Sequence, residues 1–468
     1  MLQRKGYIME QSLVFGRRAA GTDRRLTLFT LCLAVLVAQV DSSIVNLGVR
    51  PIGDYFHADV GELQWVVDSY NLVYAVLLLS GGLLADLRGR RRLFMIGAGL
   101  FTLASLICAL APSMGVLIAG RAVAGLGSAL LVPASLAVIR VVWSDAAERG
   151  RALGIWAACN GLAMATGPTL GGVLIRQFGW RSMFFVVVPV SLLALLLARR
   201  SMVESADPRG RDFDVPAQLL GAVALGGLAF AAIEAQRRPL LAVGALVVAI
   251  VALVVFLRIE RRKGDAALVP LDIFGIGAFR GAIIGTIGMT FGMYGTLFLV
   301  PLFWQESGRL DAIMAGLGLL PMALVFLLVS PFSGGLGKRF GARVVTSGGV
   351  GAIGLGLLVI AMGSGQPTIV VAELGLVLAG VGLGLATGPL MGEAVGAVAA
   401  ARSGTASALI NAARMTGATA GVAILGTVYA LAGGGAAGVR LALLMGGLVQ
   451  LGCAAADFAQ QRSAAVDG

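Results

Sequence analysis

Apolar residues in this chain of 468 residues come in long runs that short charged segments separate. Each run is near the length of about 20 residues that an α-helix needs to cross a bilayer. The pattern predicts fourteen spanning helices, over residues 26–48, 63–84, 93–111, 114–142, 152–175, 182–198, 215–235, 240–257, 282–303, 313–336, 344–362, 369–390, 405–430 and 438–457. The predicted fold class is therefore an all-α polytopic membrane protein.

Composition narrows the class further. With 58% hydrophobic residues, 13% charged residues and a mean hydropathy of +0.92, the chain cannot form a water-soluble surface. Its net charge of +12 lies in short loops between apolar runs, which indicates membrane orientation and not nucleic-acid binding. No catalytic triad, metal-ligand spacing or phosphate-binding loop is found in the sequence. We therefore expect neither an enzyme nor a bound cofactor.

The basic loops alternate with loops that hold only scattered charges. An even number of spans then places both termini in the cytoplasm. We expect a cytoplasmic tail over residues 1–25, a six-helix bundle over 26–198, and a charged connector with two extra spanning helices over 199–278. A second six-helix bundle over 279–457 and a cytoplasmic tail over 458–468 complete the chain.

A glycine-bounded basic segment follows the second apolar run. It contains Gly82, Asp86, Arg88, Gly89, Arg90 and Arg91, and residues 334–343 repeat its glycine spacing and closing arginine. Glycine permits a tight turn and close helix approach, so the segment predicts a hinge between two helices. A loop that only obeys the positive-inside rule is the alternative. The second copy favours a duplicated half.

Three ionisable residues interrupt apolar runs at similar predicted depth: Asp41, Asp68 and Arg121. A charge at a helix centre costs roughly 2.5–3.5 kcal/mol on insertion scales, so each is a candidate functional group. The three are predicted to form one cluster, in which a carboxylate exchanges a proton or substrate. An inert ion pair between the first and fourth helices is the alternative, and it leaves Asp68 without a partner.

Small residues mark one face of the fifth run. Gly167, Pro168, Gly171 and Gly172 permit close helix crossing, and the proline removes a backbone hydrogen bond. The pattern predicts a kinked helix that acts as a gate or a packing centre.

Taken together, these motifs resemble the fourteen-span drug:proton antiporter branch of the major facilitator superfamily, which includes methylenomycin-type and quaternary-ammonium exporters. The resemblance implies two six-helix bundles plus two inserted helices. It implies that Asp41 exchanges protons and that Arg121 adjusts the proton affinity of Asp41. It also implies that Asp86 and the hinge arginines hold a gate closed. Asp68 is similar to a second-helix aspartate of quaternary-ammonium exporters, which implies a cationic substrate. The second hinge carries Lys338 where the first has Asp86, so only the first can form the carboxylate latch.

A substrate cavity is expected between the two bundles. Its predicted lining residues are polar or aromatic: Trp65, Tyr70, Asn71, Tyr74, Asn160, Phe291, Met293, Tyr294, Asn411 and Arg414. Aromatic faces suit a lipophilic cation. For Arg414 a structural or gating role is favoured over substrate contact.

The predicted function is proton-coupled efflux of lipophilic, cationic drugs or toxic compounds by alternating access, driven by the proton gradient. A dedicated exporter of one metabolite or natural product is the alternative, and a proton-coupled nutrient symporter is a weaker one. The expected partners are the small-molecule substrate, protons and the lipid bilayer, with no nucleic acid. The resemblance further implies a monomer in the bacterial cytoplasmic (inner) membrane.

Overall fold

The computed structural model describes residues 23–143, 145–206, 214–235, 238–264, 267, 269, 271–366, 368–398 and 402–466. Most of the predicted tail over residues 1–25 lies outside this part of the chain.

Six helices form the first half of the described chain. They are α1 (Arg24–Phe56), α2 (Val60–Arg88), α3 (Arg90–Ala109), α4 (Met114–Val142), α5 (Ala146–Phe178) and α6 (Ser182–Ser201, with a short break at Val186). Acidic or hydroxyl side chains cap several of these starts. Asp59 and Glu62, for example, form a reciprocal capping box at the start of α2.

Two helices separate this half from the second. They are α7 (Val215–Glu234) and α8 (Pro239–Lys263). The second half contains α9 (Gly277–Glu306), α10 (Ala312–Phe340, with a short break at Leu319), α11 (Ala342–Gly363), α12 (Val370–Gly396), α13 (Ser403–Leu431) and α14 (Gly435–Val466). The last helix continues beyond residue 457, where the sequence analysis predicted that the final span ends.

Among the described residues, twelve helices are long and apolar enough to cross a membrane. Helix α2 is a thirteenth if the 53° bend between Leu78 and Ser80 lies within one span. Helix α5 is not among them, although its 33 residues extend about 50 Å. The chain is thus an all-helical protein with many candidate spans, and the count of fourteen stays a prediction.

The two halves repeat one packing pattern. Helix α1 packs on α5 and α6, α2 on α4, and α3 on α4 and α6; in the second half α9 packs on α13 and α14, α10 on α12, and α11 on α12 and α14. The turn between α2 and α3 uses Gly89 at φ 108°, and the equivalent turn between α10 and α11 uses Gly341 at φ 87°. Both angles favour glycine, which supports a duplicated half.

Two seams form most of the contact between the halves, one between α2 and α13 and one between α5 and α10, and α1 also packs on α9. We call the side of the molecule with the Gly89 and Gly341 turns the basic side, and the opposite side the far side. Within the described residues, the hydrogen bonds and ion pairs that link ends of the halves lie on the far side. They join Arg50 to Glu306, Arg176 to Asp311, Gln305 to Leu47, and Gln64 to Val422 and Ala423. These ion pairs and hydrogen bonds therefore hold the two halves in contact at the far side.

Helix α7 lies along the α2–α13 seam. The Gln218 side chain contacts Val76 and Ser80 of α2, and the Thr427 hydroxyl of α13 donates a hydrogen bond of 2.8 Å to the Ala232 carbonyl. Helix α8 packs on α7, and most of its apolar side chains are exposed, as expected for a helix that faces lipid.

Candidate functional site

An ion pair joins α1 to α4 in the interior of the first half. Arg121 Nη1 lies 2.5 Å from Asp41 Oδ2, and both side chains are about 1% to 2% exposed. Arg121 Nε also donates a hydrogen bond of 3.1 Å to the Val66 carbonyl of α2. Asp41 Oδ1 is buried without a hydrogen-bond partner. The Arg121 guanidinium therefore has two hydrogen-bond partners, whereas one oxygen of the Asp41 carboxylate has none.

Aromatic and hydroxyl groups enclose this pair. The Arg121 guanidinium lies 4.6 Å from the centroid of the Tyr70 ring, and the Tyr70 hydroxyl is 2.9 Å from Ser128 Oγ. Close packing of α2 on α4 depends on Gly125, because a β-carbon there would lie 2.4 Å from the Tyr70 carbonyl oxygen. The small residue lets the two helices approach closely enough for the arginine to bridge them.

Asp68 does not join this pair. Its carboxylate is fully buried, and neither oxygen has a hydrogen-bond partner. Asp68 follows Gln64 by four residues and so shares its face of α2, which contacts α13. The predicted three-membered cluster is therefore wrong in this respect: the helix directs Asp68 toward the seam between the halves, and Arg121 toward α1.

A second group of polar side chains lies between the halves. Tyr74 of α2 and Tyr294 of α9 both lie within electrostatic range of the Arg414 guanidinium of α13. The Tyr294 hydroxyl is within hydrogen-bonding reach of Ser42 on α1. The Tyr74 and Tyr70 ring centroids are 6.0 Å apart. We call Ser42, Tyr74, Tyr294 and Arg414 the central cluster, since its members come from both halves.

The other predicted cavity residues have different surroundings. Asn71 is buried, and its Oδ1 has no partner, while Asn411 donates a hydrogen bond to the Ser407 carbonyl of its own helix. Phe291 is buried where α9 meets Gly421 of α13, and Met293 is half-buried. The side chain of Asn160 lies outside the described part of the structure.

Trp65 packs against the inserted helix α7. Its indole Nε1 is 3.4 Å from Glu234 Oε1, and its ring lies 6.1 Å from that of Phe230. Glu234 is itself almost fully buried. Sequence analysis did not identify Glu234 as a candidate site residue. Its position at the end of an apolar run is a signal that could have identified it.

The hinge motif forms the predicted tight turn. Asp86 Oδ1 is 2.6 Å from Arg90 Nη2, and Arg91 Nη2 donates a hydrogen bond to the Arg199 carbonyl. Arg88 is exposed. The closest helix contact falls on Gly81, whose β-carbon would lie 1.9 Å from the Ala129 carbonyl oxygen; Gly82 only reaches ordinary contact with Pro133.

A carboxylate that sequence analysis did not identify completes the hinge. Glu204, in the segment after α6, accepts hydrogen bonds from the backbone N–H groups of Arg91 and Arg92 at the start of α3. A β-carbon on Gly89 would lie 2.6 Å from Glu204 Oε1, so glycine leaves room for this contact. A carboxylate at a helix N-terminus is favourable. Glu204 therefore caps the start of α3.

The glycine face of α5 contacts both halves. A β-carbon would lie 2.8 Å from Ser43 of α1 at Gly167, and 2.5 Å from Ile44 at Gly171. At Gly172 it would lie 2.6 Å from the Ala312 carbonyl of α10, and Gly316 of α10 abuts Pro168 in the same way. The motif is thus a packing surface that joins α5 to α1 within the first half and to α10 across the seam.

These features define a class of protein: a helical membrane protein of two repeated six-helix halves, with a buried ion pair in one half and a polar cluster between the halves. The sequence profile of the Major Facilitator Superfamily matches residues 31–422. The chain belongs to this superfamily, and it is a transporter and not an enzyme.

Curated relatives point to the drug-efflux branch. The chain is 39% identical over 381 residues to the multidrug resistance protein Stp of Mycobacterium tuberculosis. The aligned region covers 81% of this chain and 71% of Stp. It is 34% identical to the methylenomycin A resistance protein of Bacillus subtilis, over 67% of this chain and 68% of that protein. It is 32% identical to the multidrug efflux pump LfrA of Mycolicibacterium smegmatis, over 81% of this chain and 75% of LfrA. The predicted branch is thereby confirmed.

Solved structures agree on the fold. A peptide transporter POT in complex with sulfate superposes with a TM-score of 0.73 at 13% identity, covering 96% of this chain and 98% of the transporter. A bacterial homologue of the lysosomal transporter Spinster, in an inward-facing state, superposes with a TM-score of 0.68 at 16% identity. The superposition covers 96% of this chain and 99% of the homologue.

Proposed function

We propose that this protein is a proton-coupled efflux antiporter that exports lipophilic small molecules by alternating access. The observation that carries the proposal is the Asp41 carboxylate, which is buried in a candidate span and has one unpartnered oxygen beside Arg121. A buried carboxylate in a membrane helix is a natural proton carrier. The drug-resistance and efflux relatives supply the direction of transport.

Alternating access fits the way the halves meet. In this state the described ion pairs and hydrogen bonds between the ends of the halves lie at the far side, so we propose that the central cluster is reached from the basic side. We propose that substrate enters from the basic side while Asp41 is deprotonated, that the far-side contacts of α1 and α5 with α9 and α10 then open, and that the halves rock about the central cluster. Protonation of Asp41 from the far side weakens its attraction to Arg121, releases the substrate and returns the halves to the state described above.

The proton gradient is adequate to drive export. One charge that moves through about 100 mV yields roughly 2.3 kcal/mol, and 1.4 kcal/mol corresponds to a tenfold concentration ratio. One proton per uncharged substrate therefore supports a gradient of about forty-fold. No cofactor is required for this mechanism.

We place the protein in the bacterial cytoplasmic membrane as a monomer, with the basic side and both termini in the cytoplasm. The cationic substrate that the sequence analysis expected depends on Asp68. In this state that carboxylate is fully buried, so a cation would reach it only after the α2–α13 seam opens. A dedicated exporter of one metabolite is the second candidate, and the methylenomycin A resistance relatives favour it.

The test uses everted membrane vesicles with an imposed pH gradient, acid inside. Addition of a transported compound should release protons and collapse the gradient in the wild type. Asp41→Asn should abolish this response, and Asp68→Asn tests the second carboxylate. Glu148→Gln, which removes an exposed ion pair with Arg24, is the matched control and should keep the wild-type response. If a broad panel of drugs evokes no proton movement in folded wild-type protein, the multidrug antiporter proposal fails.

A further inference from the structure

Arg414 is a cation without a counter-ion near the middle of α13. The side chain is half-buried, and its Nε is buried without a hydrogen-bond partner. No carboxylate among the described residues forms an ion pair with it. Arg121, the other arginine inside the bundle, has both a carboxylate and a carbonyl partner. An arginine that is held unpaired at this depth is costly, so its position calls for an explanation.

The groups around Arg414 match the chemistry of an acidic ligand. Two phenol groups, Tyr74 and Tyr294, lie within electrostatic range of the guanidinium, one from each half, and the Ser42 hydroxyl lies within hydrogen-bonding reach of Tyr294. Guanidinium and hydroxyl groups donate hydrogen bonds to a carboxylate or similar oxyanion. The two aromatic rings add apolar walls for the rest of the molecule.

The two carboxylates that sequence analysis placed near the centre, Asp41 and Asp68, do not offset this positive charge. Asp41 is neutralised by Arg121 at 2.5 Å. Asp68 lies outside hydrogen-bonding distance of any described group and is fully buried. The region between the halves therefore presents a cation whose charge no described ion pair compensates.

We propose that the central cluster binds the acidic group of a lipophilic anion, with Arg414 as its counter-ion and Tyr74 and Tyr294 as flanking contacts. This inference rests on the proposed efflux function and names its substrate class. It replaces the cationic substrate expected from Asp68, and it assigns Arg414 to ligand binding in place of the structural or gating role favoured from sequence.

The charge of the substrate decides how much the membrane potential contributes to export. Exchange of one proton for one monovalent cation moves no net charge across the membrane. Exchange of one proton for one monovalent anion moves two charges in the same direction. Export of an anion is therefore accelerated by the membrane potential alone, whereas one-for-one export of a cation is not.

Binding tests the proposal directly. We would measure thermal stabilisation of the purified protein in lipid nanodiscs by three shape-matched probes: 2-naphthoate, 2-naphthamide and 2-naphthylmethylammonium. The wild type should be stabilised by the carboxylate at lower concentration than by the amide or the ammonium compound. Arg414→Gln should weaken naphthoate binding at least about tenfold, because a charge-assisted hydrogen bond is lost. Arg414→Lys should keep part of the preference, since it keeps the charge.

The controls separate ligand binding from folding. Each variant is first compared with the wild type by size-exclusion profile and by melting temperature without a probe. If Arg414→Gln does not fold, the comparison passes to Arg414→Lys and to Tyr74→Phe, which should weaken naphthoate and leave naphthamide unchanged. Strongest stabilisation by the ammonium probe, no stabilisation by naphthoate, or a probe ranking that the variants leave unchanged would each overturn the proposal.

This experiment needs no proton gradient, so its failure is distinct from failure of the proposed function. Selective naphthoate binding without proton-driven export would support the anion-binding site and contradict the proposed antiport function. Proton-driven export of cations without naphthoate binding would keep the antiporter and reject the anion site.

Discussion

The ion pair between Asp41 and Arg121 gives the sharpest stability prediction. Asp41→Asn leaves the buried guanidinium without a counter-charge, beside neutral partners such as the Val66 carbonyl and the face of Tyr70. Loss of one partner of a buried ion pair typically costs about 3–5 kcal/mol, because the other charge remains buried without compensation. Arg121→Gln should cost a similar amount, since Asp41 Oδ1 already has no partner.

The double variant Asp41→Asn with Arg121→Gln should be less destabilised than either single variant. It leaves two neutral amides that can hydrogen-bond to each other, so no unpaired charge remains. We expect a total cost of about 1–2 kcal/mol, and therefore a coupling energy of several kcal/mol between the two positions.

Unfolding of the purified protein by increasing SDS in mixed micelles, followed by helical circular dichroism, measures these free energies. The control is Arg24→Gln, which removes an ion pair whose two side chains are both 50% exposed, and should cost under about 1 kcal/mol. Single variants that match this control, or costs that simply add in the double variant, would refute the account of the pair.

Three further predictions test packing, capping and pH dependence. Gly125→Ala should cost about 1–3 kcal/mol in the same assay, because a β-carbon would lie 2.4 Å from the Tyr70 carbonyl. Glu204→Ala should cost about 1 kcal/mol, because the N-terminus of α3 loses its carboxylate. The hydrogen bond from Arg402 holds the pKa of the Asp272 carboxyl below its usual value of 3.8. This pair therefore stabilises the protein above that pH and ceases to do so as pH falls through the lower pKa of the folded state. Arg402→Gln should lower the melting temperature more at pH 7 than near pH 2.5.

Controls from the same elements accompany these variants. Gly115→Ala lies in the same helix as Gly125, but its β-carbon would meet nothing within 4 Å, so it should not destabilise the protein. Glu204→Gln keeps one acceptor oxygen and should cost less than Glu204→Ala. An equal effect of Gly115→Ala and Gly125→Ala, of the two Glu204 variants, or of Arg402→Gln at both pH values would contradict the respective prediction.

Sequence alone predicted much of the fold, because apolar run length and glycine spacing are local properties. The hinge turn at Gly89 and its copy at Gly341 follow from the need for glycine at positive φ. The pairing of Asp41 with Arg121 follows from similar predicted depth, since opposite charges buried at one level tend to pair.

What sequence analysis missed depends on which way a helix face points. Asp68 was placed at the depth of Arg121, but its face of α2 is directed to α13. Trp65 was expected in the central cavity, and its contacts are instead with α7, whose position along the α2–α13 seam no local pattern encodes. Glu204 reaches the hinge through a contact distant in sequence, so its charge alone did not mark it.

The most direct test of the central claim is transport by purified protein in proteoliposomes, without cell extract or ATP. We would impose a pH gradient, acid inside, and measure accumulation of a fluorescent lipophilic probe that the protein binds in nanodiscs. The account predicts accumulation that follows the size of the gradient, that stops when an ionophore collapses it, and that Asp41→Asn abolishes. Accumulation that is equal with and without the gradient, or that Asp41→Asn leaves intact, would contradict proton-coupled efflux.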